Sequence, residues 1–164
     1  MQRFLLSLLV LFTILGCGHL QVDVTSTKDT AYHQKIGRLL IFVDSVMCRR
    51  IYSDEEKISK IFVEKLKSRG VSAEALEEDP LELNNSGVKR NAIAKFKPTH
   101  IMTFNCTRYS SKKGLTFISN INDNKTGKRI WRADILSDSA WDKVVEKMIE
   151  QLQVDELLNK TEEK

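Results

Sequence analysis

The run Arg38-Leu39-Leu40-Ile41-Phe42-Val43-Asp44 restricts the fold more than any other part of the chain. Five large apolar residues stand together with a charge at each end, and the length suits a strand. Alternation is absent, so both faces of that strand must be covered. A sheet with helices packed on it meets that demand, and the following sequence supplies the helices. Ser53-Asp54-Glu55-Glu56 has the spacing of a capping box, in which Ser53 and Glu56 satisfy free amides at a helix start. Ile58, Ile61, Phe62 and Leu66 then recur at helical spacing with lysines and glutamates opposite. Gly70 follows as a helix C′ residue would. Residues 71–76 read as a second strand, which gives a right-handed β-α-β unit.

A polar loop over residues 77–86 leads to a shorter helix with Val88, Ala92, Ile93 and Phe96 inward, stopped by Pro98. Residues 99–109 and 115–122 read as strands, the second alternating cleanly. Asp123-Asn124-Lys125-Thr126-Gly127 is a tight hairpin turn, and residues 128–134 return as the last strand. Gly127 supplies a positive φ there, Asp123 bonds the turn backbone, and Trp131 alternates inward with Arg129 turned away. Ala140, Trp141, Val144, Val145, Met148, Ile149 and Leu152 share one face of a closing helix. The order β-α-β-α-β-β-β-α is that of an α/β (α+β) domain with helices packed on one sheet. The 164 residues are 41% hydrophobic and 29% charged, which suits a single globular unit.

Ahead of this domain, Arg3 is followed by a mostly apolar run over residues 4–15 and then by Gly16 and Cys17. That is the order of parts in a secretory signal, and the run is shorter than the ~18 apolar residues that favour a spanning helix. Ile14-Leu15-Gly16-Cys17 resembles the lipobox of bacterial lipoproteins. The resemblance implies removal of residues 1–16 and attachment of acyl chains, palmitate among them, to Cys17. Several chains make such an anchor effectively permanent. An aspartate after the cysteine would favour the inner membrane, so Gly18 is permissive for the expected place, the periplasmic face of an outer membrane. Ordinary cleavage after Gly18 is the other reading of the same small residues. Residues 17–35 read as the lipidated cysteine and a tether, within which Leu20, Val22 and Val24 alternate enough for a short edge strand. The domain is expected over residues 36–158, with a loose tail over 159–164.

Two local strings carry a second resemblance. Residues 123–133, from Asp123 through Thr126-Gly127-Lys128 to Trp131 and Ala133, are similar to a D-x-x-T-G-K-x-x-W hairpin. Residues 151–158 are similar to a closing L-x-x-D-G-L, with Glu156 where that pattern has glycine. Together with the element order, these strings resemble small envelope lipoproteins that share the domain of the curli-secretion lipoprotein CsgG and the amino-terminal domain of TolB. The resemblance implies a mixed five-stranded sheet ordered 2-1-3-4-5. It also implies contact with other envelope proteins and a homo-oligomer, because CsgG-like relatives form rings. In such a sheet the first and third strands are parallel neighbours, with Cys48 and Cys106 toward their carboxyl ends. An oxidising compartment and a lipidated Cys17 leave those two as a disulfide pair, or as two separate small thiols.

Catalytic signals are missing from the sequence. His19, His33 and His100 are scattered, no histidine or cysteine pair has zinc spacing, and no nucleophile elbow or phosphate-cradling glycine loop occurs. No enzyme, metal or cofactor is expected. The net charge of +4 is spread among both signs, which argues against a nucleic-acid partner. Two function classes remain. One is an assembly or accessory component working by protein–protein contact. The other is a binding module for an anionic envelope lipid or glycan, using Arg108, Lys112, Lys113, Lys128, Arg129 and Arg132 near the hairpins.

Overall fold

The apolar run at residues 38–44 lies inside a mixed sheet, flanked by a parallel strand on each side. The computed structural model describes residues 21–44, 58–77, 85–110 and 114–159. Its elements are β1 (Val22–Lys28), β2 (Arg38–Asp44), α1 (Ile58–Lys67), β3 (Ser72–Glu77), α2 (Asn85–Phe96), β4 (His100–Ser110), β5 (Gly114–Asp123), β6 (Arg129–Ser137) and α3 (Trp141–Val154). The capping box at residues 53–56 lies outside the described residues. β2 pairs in parallel with β3 and β4, while β4, β5, β6 and β1 follow as antiparallel neighbours.

The sheet has six strands rather than five, in the order β1-β6-β5-β4-β2-β3, which differs from the expected 2-1-3-4-5 by the strand added beside β6. The added strand is β1, drawn from the segment expected to be a tether. All seven of its residues stand in register with β6, from Val22 beside Ser137 to Lys28 beside Trp131. Its alternation is only half apolar. Val22 and Val24 pack against the core, but the next inward positions are Ser26 and Lys28. A polar inner face is what hid most of the strand from a reading of hydrophobic periodicity.

One face of the sheet buries Leu39, Ile41, Val43, Met102, Phe104, Phe117, Ile121, Trp131 and Ile135 beneath α1 and α3. Phe104 lies between Phe62 of α1 and Phe117, at ring-centroid distances of 5.3 and 5.1 Å. Each such pair adds about 0.5–1.5 kcal/mol beyond its area. Glu146 of α3 ties the two helices, accepting from Lys65 at 2.5 Å and Arg69 at 2.6 Å. The opposite face has a smaller cluster, Leu40, Phe42 and Phe96, covered by α2. β2 is therefore covered on both sides, as its composition requires.

Beyond the end of α3, the Asp155 carboxylate joins distant parts of the chain. Its Oδ2 accepts from the Trp131 indole N–H and from the Ser26 hydroxyl, both at 2.6 Å. Its main-chain carbonyl accepts from the Lys28 ammonium at 2.8 Å. The polar inner face of β1 thus meets a polar partner 129 residues away. Hydrogen bonds to a charged group contribute roughly 1.5–3 kcal/mol each.

α1 and α3 end in the same motif. After α1, Gly70 has φ +76°, Val71 N–H donates to Leu66 O at 3.1 Å, and Gly70 N–H donates to Lys67 O at 3.0 Å. After α3, Glu156 takes the glycine's place at φ +59°, while Leu157 N–H reaches Leu152 O at 2.9 Å and Glu156 N–H reaches Gln153 O at 3.1 Å. Leu152 and Leu157 are both buried, which supplies the apolar contact of a Schellman cap. A side chain in the left-handed region costs roughly 1–2 kcal/mol, partly offset by the greater unfolded-state freedom of glycine. Glu156→Gly is expected to raise unfolding stability by about 0.5–1 kcal/mol in urea titrations. An unchanged or lower midpoint would show that this cap carries no strain.

Candidate functional site

The part of the second face that α2 leaves uncovered is polar. On β5, β6 and β1 it presents Thr116, Asn120, Asn122, Arg132, Asp134, Leu136, Thr25 and Thr27, all exposed or half-buried. Ile118 is half-buried among them. The carboxamide oxygens of Asn120 and Asn122 are buried without a hydrogen-bond partner. An unsatisfied buried acceptor costs about 1–3 kcal/mol, which a donor docked on this face would recover.

Of the six cationic residues named above, the four that are described, Arg108, Lys128, Arg129 and Arg132, do not form one patch. A bulge between Cys106 and Arg108 turns Arg108 onto the open face, beside Thr116. Arg129 stands beside Asn122, six β5 residues away, or about 20 Å along the strand. Arg132 lies between them and is paired with Asp134 at 2.9 Å. Lys128 is paired with Asp29 at 2.6 Å, a contact that holds the Asp29 carboxyl below its usual range. Lys112 and Lys113 lie outside the described residues.

Lys128 and Arg129 instead line an open groove of about 320 Å³ between the end of β1 and the start of β6. Thr27, Lys28, Asp29 and Trp131 complete much of its wall. Lys28 and Lys128 are already engaged, whereas Arg129 is exposed and makes no ion pair among the described residues. The groove offers a cationic surface at the far end of the hairpin from Arg108.

The turn beneath that groove meets expectation. Gly127 has φ +70°, and the Asp123 carboxylate accepts from Thr126 N–H at 2.7 Å and its hydroxyl at 2.8 Å. Trp131 is buried and Arg129 exposed. Ile130 is buried as well, because the register shifts between Ile121 and Asn122.

His100, the first residue of β4, is buried at 2% exposure. The Thr99 hydroxyl donates to Arg38 O at 2.9 Å, so it accepts from His100 Nδ1–H at 2.8 Å. Nε2 is left to accept from the Tyr32 hydroxyl. Both ring nitrogens are thereby occupied in the neutral form. Burial pushes the histidine pKa down, and the Asp123 charge opposes that shift. Tyr32 is the single Tyr, Phe or Trp between residues 21 and 35, a sequence signal of docking beside the Val22 and Val24 alternation.

Cys106, also buried, is disulfide-bonded. The other two cysteines, Cys17 and Cys48, lie outside the described residues.

No protein family and no curated protein matches the sequence. Among solved structures the chain is similar to a point variant of the PelC dodecamer from Paraburkholderia phytofirmans. That match has 12% identity and a TM-score of 0.52 over 80% of this chain and 96% of the other. The chain is also similar to the lipoprotein GNA1162 from Neisseria meningitidis, at 12% identity and TM-score 0.41 over 75% and 97%. TolB from Acinetobacter baumannii matches at 10% identity and TM-score 0.41, over 84% of this chain and 32% of TolB. With PelC the likeness is one of fold.

Acid weakens the junction between Tyr32 and His100. A neutral ring favoured by the fold contributes stability that is complete above the unfolded histidine pKa near 6.5. That contribution is lost as pH falls toward and through the lowered folded value. Urea midpoints are expected to drop between pH 7.5 and 5, about one unit and more either side of that pKa. His100→Gln should flatten the drop. An equally steep loss in that variant would assign it to other groups.

Proposed function

We propose that this chain is a non-enzymatic lipoprotein of the bacterial cell envelope, an accessory or assembly component that works by protein–protein contact. The observation that carries the reading is the lipobox-like Ile14-Leu15-Gly16-Cys17 directly ahead of a folded α/β unit. In this reading residues 1–16 are a signal peptide, and Cys17 carries the acyl chains. The domain faces the periplasm from the outer membrane. Two features support contact as the mode of action. The open sheet face holds two buried acceptors without donors, and a protein of the same fold, PelC, is a dodecamer. Self-association is accordingly part of the proposal. The buried histidine is spent on holding the β1–β2 connection, which fits a protein without catalytic chemistry.

A second reading, a binding module for an anionic envelope lipid or glycan, is favoured by the groove lined by Arg129, which makes no ion pair among the described residues. Arg108, which stands beside Thr116 at the other end of β5, would then act separately from it.

Lipid on Cys17 also fixes the disulfide. Asp44 closes β2 beside Asn105, and the four residues on to Cys48 span at most about 14 Å, enough to bring Cys48 to Cys106. The proposed pair is Cys48–Cys106. Intact mass should rise by two hydrogens on reduction, with both thiols alkylated only afterwards. Thiols already free in protein from the periplasm would remove the pairing.

The functional reading predicts a triacyl mass increment on the peptide that begins at Cys17. Cys17→Ser should leave the protein unacylated and release it from membranes. Light scattering on a soluble form lacking residues 1–17 should give a defined oligomer. A strict monomer that sediments with anionic vesicles would favour the second reading.

A further inference from the structure

The position of β1 bears on how the domain meets its membrane. The expected tether of nineteen residues, 17–35, contains a strand that is zipped to β6 along its whole length. The Gln21 main-chain N–H donates to the Asp138 carboxylate at 2.9 Å, which pins the chain just before the strand. Only four residue steps separate Cys17 from Gln21, at most about 14 Å of extended chain. β1 itself is seven residues long, about 23 Å.

We infer that the end of the sheet where β1 begins rests on a phospholipid headgroup layer, with the β5–β6 turn and its groove held away from it. The inference rests on the lipid anchor proposed above. Register defines this end: Val22 stands beside Ser137, which stands beside Leu115. The beginning of α3 and the exposed Arg108 lie at the same end. Gly114 closes it tightly, since a Cβ there would lie 2.5 Å from Ser137 O, and its φ is +77°.

Trp141, the first residue of α3, gives the end a membrane-compatible group. Its ring packs edge-on against Phe117 at a centroid distance of 5.4 Å and stays partly exposed. Tryptophan is enriched at the level of lipid headgroups because it joins an apolar body to one polar N–H. The other tryptophan, Trp131, is buried beside Lys28, at the opposite end of β1. The chain has no third tryptophan. The far end presents the cationic groove to the aqueous compartment, where a protein or soluble ligand can reach it.

The two tryptophans allow a direct test. Acylated full-length protein is reconstituted in phosphatidylethanolamine–phosphatidylglycerol vesicles carrying a dansyl-labelled headgroup, and tryptophan-to-dansyl energy transfer is measured. Trp141→Phe should lose more than half of the transfer seen for the natural sequence. Lys125→Trp, in the far turn, should add emission without a proportionate gain in transfer, and it keeps the test informative if Trp141→Phe folds poorly. Transfer retained in Trp141→Phe, or rising in step with the Lys125→Trp emission, would overturn the orientation. Cys17→Ser should show little transfer, and transfer equal to the acylated protein would also overturn it. If mass spectrometry finds Cys17 unacylated, the anchor reading itself fails, and the orientation with it.

Discussion

A single carboxylate holds the two ends of the domain together. Asp155, just beyond the last helix, receives the Trp131 indole and the Ser26 hydroxyl on one oxygen, so β1, β6 and the end of α3 meet at one atom. Gln151 supports the other oxygen at 3.2 Å. Farther along, the Lys35 ammonium donates to Glu156 O at 2.7 Å, and Ile36 N–H donates to Leu157 O at 2.9 Å. The segment between β1 and β2 is thereby laid against the chain's last turn. Without these contacts the edge strand β1 would point a serine and a lysine inward without polar partners, and its pairing with β6 and the packing of Val22 and Val24 would have to hold it alone.

Most of the fold was legible because its elements declare themselves by apolar spacing. The unbroken run of β2, the alternation of β5 and the helical stripes of α1 and α3 each need one simple partner, an apolar surface. β1 needs a particular partner instead. Ser26 and Lys28 satisfy their polar groups at Asp155, more than 120 residues later, and no local pattern announces that match. The same holds for Tyr32 and His100, which are 68 residues apart. The aspartate of the closing string and the tryptophan of the hairpin string were both visible as motif residues. Their hydrogen bond explains why the two strings belong to one fold.

The candidate site was less legible than the fold. Arg108 and Arg129 are close to hairpin turns in sequence, but successive turns of a meander lie at opposite ends of the sheet. Proximity to a hairpin therefore does not place cations together. Arg132 and Lys128 lose further availability to Asp134 and Asp29. What remains is an open polar face with two unsatisfied acceptors and a groove at one end. Those features fit a domain that acts by being touched, and the anchor would decide which side is offered.

Folding of β1 from Val22 onward is the central claim, because a lipid on Cys17 would then hold the domain by a short tether rather than a long one. Amide hydrogen exchange over residues 22–28 of the full-length protein tests it most directly. The alternate amides of β1 that bond to β6 should exchange about as slowly as their partners on that strand. Exchange of the whole segment at the rate of an unstructured chain would contradict the account.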